Sequence, residues 1–312
     1  MNKMLKISAL LTAIVPSIAF GAGDTMLVKK YPYMDYRERN FYDHVIPMTD
    51  DKYIQKAVAS GELELEDILR SIEKQSEMKQ WIDKNKPKRF IVISMTAFRL
   101  YLFENKGVTY DIDNYQMIWH TNIVIGSKAH QTPMENFKIQ SLKYNPTWTP
   151  TPRMVRNLAK KNGEWNRKWI DGHDLKPYYN GKRITLEQAD KYPVTSLTFV
   201  QPPSDNNALG RLKFETTSTK MIYLHDTNEK ELFNHATRAY SSGCIRVENP
   251  FELAAILANT TVSDIESEIS TGKTHWEDVK DVPVYFLYDS VNFALGDDHD
   301  NLKVLPDVYN KF

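Results

Sequence analysis

The chain reads as a mostly β domain with short helices, preceded by a small helical N-terminal region. Three observations predict this. Short apolar runs rich in β-branched and aromatic residues recur from Phe90 to Tyr288, with turn residues between them. Helical spacing of apolar residues is confined to Leu63–Ile82 and to stretches after Asn249. The composition, 41% hydrophobic and 26% charged over 312 residues, suits a globular chain with one ordinary core and an accessory segment.

In order along the chain, Lys3 and Lys6 precede an apolar run from Ile7 to Phe20, and Ala19-Phe20-Gly21 supplies small residues. This layout predicts a secretory signal peptide over residues 1–21, cut near 21–23. The run is shorter than the roughly 20 apolar residues of a membrane span, so no stable span is expected after processing. Residues 22–87 form an accessory region. Its tyrosines Tyr31, Tyr33, Tyr36 and Tyr42 read as packing, with carbohydrate contact as the alternative. Leu63, Ile68, Leu69, Ile72, Met78, Trp81 and Ile82 predict one or two helices ending before Asn85 and Pro87.

Strands are then expected at Phe90–Ile93, Phe98–Phe103, Tyr110–Ile112, Met117–Ile125, Phe137–Ile139 and Leu142–Tyr144. Between Asn145 and Pro193 the alternation lapses. Pro146, Pro150 and Pro152 stiffen its start, Met154–Lys160 suggests a short helix, and Trp165, Trp169, Tyr178 and Tyr179 follow. Residues 145–193 are read as an inserted cap over a groove, the alternative being a surface excursion. Strands resume at Leu197–Val200, Leu212–Phe214 and Met221–Leu224. Asn249-Pro250-Phe251-Glu252 predicts a helix start, with Asn249 capping and Glu252 reaching back, and the helix running to about Ala258. A second helix is expected over Asp264–Ser270 and a late strand over Pro283–Tyr288.

Lys plus Arg number 40 and Asp plus Glu number 40, a balance that argues against a nucleic-acid partner. The single cysteine, Cys244, excludes an internal disulfide. It stands in Ser241-Ser242-Gly243-Cys244-Ile245-Arg246-Val247, and Tyr223-Leu224-His225-Asp226-Thr227 offers a histidine upstream. A thiol with an imidazole in reach becomes a nucleophile, and Gly243 allows nearby amides to converge on an oxyanion. The alternative is an inert core cysteine. His120, His130 and His235 read as packing or surface residues. His173-Asp174 and His225-Asp226 do not make a compact ligand set, so a zinc peptidase is disfavoured and no metal is expected.

A family resemblance rests on several further pieces. They are Ile125-Gly126 with Thr132-Pro133, Asn145-Pro146 with Trp148, Gln201-Pro202-Pro203, Asn206-Asn207-Ala208-Leu209-Gly210, Lys213-Phe214, Leu232-Phe233 and Arg238, together with the histidine and cysteine motifs. Over residues 88–312 the chain resembles the L,D-transpeptidases with a YkuD-type catalytic domain, close to their large periplasmic branch. The resemblance implies a β-sandwich with short helices, a periplasmic location and no cofactor. It implies cleavage of a donor tetrapeptide stem after diaminopimelate and transfer to a second diaminopimelate amine, giving a 3→3 cross-link in peptidoglycan. Cys244 would carry the acyl group as a thioester, His225 would move the protons, and the backbone carbonyl of Asp226 would orient the imidazole. Amides near Gly243 and Cys244 would hold the oxyanion. Tyr223, Ser241 and Trp148 would lie at the substrate. Arg246 would orient the site or a substrate carboxylate, with a structural ion pair as its alternative. Carbapenem acylation is a further expectation, and wall proteins are possible partners through the N-terminal region. Two other readings stay open: a carboxypeptidase or endopeptidase using water, and a non-catalytic wall-binding module. The chain departs from most relatives in having Ser242 where they have histidine.

Overall fold

The computed structural model describes residues 65–109, 114–161, 163–292 and 303–311. The expected signal peptide, the tyrosines before residue 58 and the strand Tyr110–Ile112 lie outside these residues. In chain order the main elements are helix α1 (Leu65–Asn85) and strands β1 (Arg89–Ser94), β2 (Arg99–Asn105), β3 (Tyr115–Gly126) and β4 (Phe137–Tyr144). Helix α2 (Arg167–Gly172) and strands β5 (Lys176–Tyr179), β6 (Lys182–Arg183) and β7 (Leu197–Val200) come next. Then follow β8 (Leu212–Thr216), β9 (Leu224–His225), β10 (Ala239–Ser241), β11 (Ile245–Val247), α3 (Pro250–Ala258), α4 (Val262–Ser270) and β12 (His275–Leu287). The fold is thus dominated by sheet, with several short helices.

The chain divides into two compact units. Among the described residues the first takes those up to Thr121, Met134–Phe137 and those from Val282; the second takes those of Asn122–Pro133 and Lys138–Asp281. In the first unit β1 pairs antiparallel with β2 and parallel with the end of β12, with Val92 opposite both Tyr101 and Tyr285. One face carries Phe90, Val92, Tyr101, Tyr285 and Leu287, and Met78 and Ile82 of α1 pack on it. The Trp81 ring lies 5.8 Å from Phe90 and 5.4 Å from Tyr285. The opposite face, with Ile91, Ile93, Leu100, Leu102, Val284 and Phe286, is buried as well. Burial on both faces explains why β1 reads as an unbroken apolar run. The expected one or two helices are one. It ends where Lys86 turns left-handed (φ +45°) and donates its N–H to Ile82 O at 2.7 Å, just ahead of Pro87.

The sheet of the second unit has the order β10-β3-β11-β9-β8-β4. Its registers form straight rows. Lys143, Lys213, His225, Arg246 and Val124 stand opposite one another across five strands. In the neighbouring row Leu142, Phe214, Leu224 and Ile245 do the same, all fully buried. Successive strand residues face opposite sides, so one side of this sheet is apolar and the other carries the charged row. Helix α3 buries Leu253, Ala254, Ala255 and Leu257. Asn249 occupies its N-cap and Pro250 its first turn, but Asn249 makes no side-chain capping bond, contrary to expectation. The reciprocal capping box belongs to α4, where Thr261 and Asp264 bond each other's backbone N–H at 3.2 and 3.1 Å.

Residues 145–193 are more ordered than their sequence suggests. Strands β5, β6 and β7 make a three-stranded sheet. Thr185 and Gln188 cap a single helical turn at Leu186–Ala189. A three-residue α-turn, Pro152–Met154, and a π-turn, Val155–Ala159, stand where a short helix was expected. Trp148, Val155, Ala159, Ile170, Leu175, Ala189, Leu197, Phe199 and Leu209 form an apolar cluster of their own, and Tyr223 packs partly against it.

Candidate active site

Cys244 sits immediately before β11, at the end of a tightly braced turn. Gly243 has φ +122°. Space does not demand glycine there, since an added Cβ would stay 3.8 Å from His130 O; the backbone conformation does. The Thr132 hydroxyl donates to Gly243 O at 2.8 Å and accepts from the Gly126 N–H at 2.8 Å. Because a trans peptide points its C=O and N–H in opposite directions, this clamp aims the Cys244 N–H away from Thr132. Ser241 Oγ accepts from the Gly243 N–H at 3.1 Å and donates to Cys244 O at 2.6 Å. The Gly243 N–H is thus taken up by Ser241, and Ser241 itself is a buried brace of the turn.

His225 lies in β9, parallel to and paired with β11, with Arg246 opposite it. The alternation of side chains places Tyr223 and His225 on the same side of the sheet as Cys244 and Arg246. The His225 Nδ1–H donates to the backbone carbonyl of Asp226. A carbonyl only accepts, so the proton belongs on Nδ1 and Nε2 keeps its lone pair. The Asp226 carboxylate is engaged elsewhere: it accepts from the Arg211 N–H at 2.8 Å and pairs with Lys230. Gly210, at φ +59°, passes so close to it that a Cβ would fall 2.2 Å from Oδ2. The carboxylate therefore fixes the peptide whose carbonyl holds His225. Burial lowers the His225 pKa to about 3, aided by the cations Arg246, Lys213 and Lys230 and opposed by the bond to Asp226. The imidazole is neutral at neutral pH.

The Cys244 thiol is half-buried and donates to Met221 O at 3.8 Å. Burial pushes its pKa up, while hydrogen bonds from the backbone and hydroxyl of Tyr223, and the charge of Lys213, pull it down. Lys213 Nζ stands 4.0 Å over the Tyr223 ring and 2.7 Å from Glu215. Tyr223 thus lies on the same side of the sheet as Cys244, with the Lys213 ammonium over its ring. Arg246 Nη1 lies 2.5 Å from Glu229 Oε2, while its buried Nε finds no hydrogen-bond partner among the described residues.

Trp148 belongs to the apolar cluster of the insertion, against which Tyr223 also packs. It is 8% exposed, 6.5 Å from the Trp169 ring and 5.9 Å from the His173 ring, within the cluster of the insertion. Gln201 and Asn207 are buried and bond the backbone of their own loop, from Gln201 Oε1 to the Ala208 N–H and from Asn207 Nδ2 to Pro202 O, both at 2.9 Å. Arg238 ties its loop to β3 through Ile123 O at 3.2 Å and Asn122 Oδ1 at 3.1 Å. The other histidines have other neighbours: His120 bonds Arg99 at 2.9 Å, His130 contacts Ser127 at 3.3 Å, His173 bonds Trp169 O at 2.8 Å, and the His235 ring lies 5.4 Å from Tyr240. Ser242 is exposed. Among the described residues no three His, Cys, Asp or Glu side chains are grouped as metal ligands, and no helix is long and apolar enough to cross a membrane.

Sequence reasoning missed three contributors. Thr132 and Lys213 were visible only as motif letters, although the alternation Leu212-Lys213-Phe214 already placed the lysine opposite the apolar side. The Met221 carbonyl left no signal, because a backbone acceptor is independent of residue type.

Residues 88–274 match the YkuD family, described as the L,D-transpeptidase catalytic domain. A Haemophilus influenzae protein whose name assigns it provisionally to the L,D-transpeptidases is 28% identical over 238 residues, covering 70% of this chain. The chain spans about half the length of that relative, 47%. An L,D-transpeptidase structure from Mycobacterium smegmatis aligns with 9% identity and a TM-score of 0.31, over 64% of this chain and 59% of that one. L,D-transpeptidase 3 from Mycobacterium tuberculosis aligns with 10% identity and a TM-score of 0.30, over 64% and 61%. With more than half of its residues under the family match, the chain belongs to the YkuD family of L,D-transpeptidase catalytic domains.

Proposed function

We propose that the protein is a peptidoglycan L,D-transpeptidase that forms 3→3 cross-links through a Cys244 thioester. The observation that carries this reading is the registered pair β9/β11, which sets Tyr223 and His225 on the same side as Cys244 and Arg246. The thiol gives its proton to His225 Nε2 as Sγ bonds the diaminopimelate carbonyl carbon. That proton then leaves with the amine of the departing D-alanine as the C–N bond breaks. An acceptor diaminopimelate amine attacks the thioester, loses its proton to His225 and releases the sulfur. The Cys244 N–H, directed by the Thr132 clamp, faces the tetrahedral oxygen. Arg246, on the same side of the sheet as Cys244, is the cation that would orient a substrate carboxylate.

The charged start and apolar run of residues 1–21 support export to the periplasm, with stem peptides as donor and acceptor. The packing of Tyr223 on the insertion's cluster supports residues 145–193 as the wall of the peptide groove. Purified protein incubated with disaccharide-tetrapeptides is expected to give a 3→3 dimer by mass spectrometry, and Cys244→Ala to give none. Cysteine-dependent cleavage without dimer would make the protein a hydrolase. Wall binding with no bond change would make it a binding module.

A further inference from the structure

The charged row of the second unit's sheet continues beyond the candidate active site. From His225 in β9 it passes through Lys213 in β8 to Lys143 in β4, and β12 is the next strand. Lys213 pairs with Glu215 at 2.7 Å. The Lys143 ammonium lies 4.5 Å over the ring of Trp276, in the part of β12 that belongs to the same unit. Trp276 is therefore on the side of the sheet that carries His225. Alternation agrees, since its neighbour His275 stacks on Tyr144, the residue after Lys143, on the other side. The cation holds the indole by one face, yet the side chain remains 55% exposed. An aromatic ring that is fixed and open is a ready platform for a ligand.

Its place suits one part of a peptidoglycan stem. Three strand spacings of about 4.8 Å separate β9 from β12, which puts Trp276 about 14 Å along the row from His225. In a stem acylated at its third residue, three residues separate the reacting carbonyl from the muramyl sugar. Extended, they span about 10–11 Å, and the sugar comes next. The stem's free carboxylates complement the lysines that lie between. A pyranose presents a face of C–H groups, which packs against the negative face of an aromatic ring. We infer that Trp276 is a subsite for the muramyl sugar of a wall stem peptide, and that Lys143 is the residue that positions its ring. The inference rests on the ligand being a peptidoglycan stem, but not on what accepts its acyl group.

Binding to the full-length Cys244→Ala protein tests it without turnover. Two probes are compared by calorimetry: the disaccharide-tetrapeptide and the same tetrapeptide without sugar. The disaccharide form is expected to bind about tenfold more tightly, and Trp276→Ala to abolish that preference. Lys143→Met is expected to reduce the preference and Lys143→Arg, which keeps a cation over the ring, to retain it. Equal affinity for the two probes, or no binding of either, overturns the inference. So does a preference that survives Trp276→Ala. Should that variant not fold, an undiminished preference in Lys143→Met overturns it instead. Cross-linking by the protein with Cys244 intact separates the two ideas. A Trp276-dependent preference without dimer formation retains this inference and removes the transpeptidase reading, and dimer formation without such a preference does the reverse.

Discussion

His225 is a buried base held neutral among cations, and this has a price in acid. Its folded pKa of about 3 lies below the ordinary value of 6.5, so the unfolded chain binds a proton where the folded chain does not. Stability is therefore complete above about pH 6.5 and falls as the pH drops toward 3, by up to about 1.4 kcal/mol per pH unit. Between pH 7 and 5, wild type is expected to lose about 2 kcal/mol more than His225→Gln in urea unfolding. Parallel losses in the two proteins would mean that the imidazole titrates normally in the fold. The same residue shows what was legible in sequence. His225, Gly243 and Cys244 stood out as letters because residue type or conformation marks them, whereas the Asp226 carbonyl, a backbone acceptor, came only with the family resemblance. That the Asp226 carboxylate serves Arg211 and Lys230, and that Ser241 closes off the Gly243 amide, depends on hydrogen bonds that spacing does not reveal.

Among the elements, β1, β2, β4, β8 and α3 were legible because each hides apolar side chains in a regular period. The first half of β12 was not. His275–Asp281 is largely exposed and mostly polar, so only the buried half from Val282 read as a strand. Strands β5 and β6 were hidden by Pro177 and by their shortness, and β10 by a length of three residues, while β9 was met only at Leu224, the end of the expected strand Met221–Leu224. The insertion owes its order to its apolar cluster instead of strand periodicity. Phe199, fully buried in β7 with its ring 5.5 Å from Trp165, belongs to that cluster. Phe199→Ala is expected to destabilise the protein by about 3–5 kcal/mol, read as a lower urea midpoint with unchanged slope. A change below about 1 kcal/mol would show that the insertion does not unfold with the unit around it.

On the scale of the whole molecule, sequence order and folding unit part company. Among the described residues the first unit draws on the chain up to Thr121, on Met134–Phe137 and on the chain from Val282, while the second fills the gaps. Contacts that close the first unit therefore join residues almost 200 positions apart, such as Val92 with Tyr285, which makes for slow, non-local folding. The family match ends at residue 274, one residue before β12 begins. A protein excised at the limits of that match would keep β1 but lack its parallel neighbour. It would present a raw strand edge of unpaired N–H and C=O groups beside the apolar Ile91 and Ile93. Fragment 88–274 is expected to aggregate on expression, and a chain extended through β12 to residue 311 to elute as a discrete species in size-exclusion chromatography. The boundary drawn by similarity is thus a cut through a sheet, and an excised domain would be sticky for a reason unrelated to its chemistry.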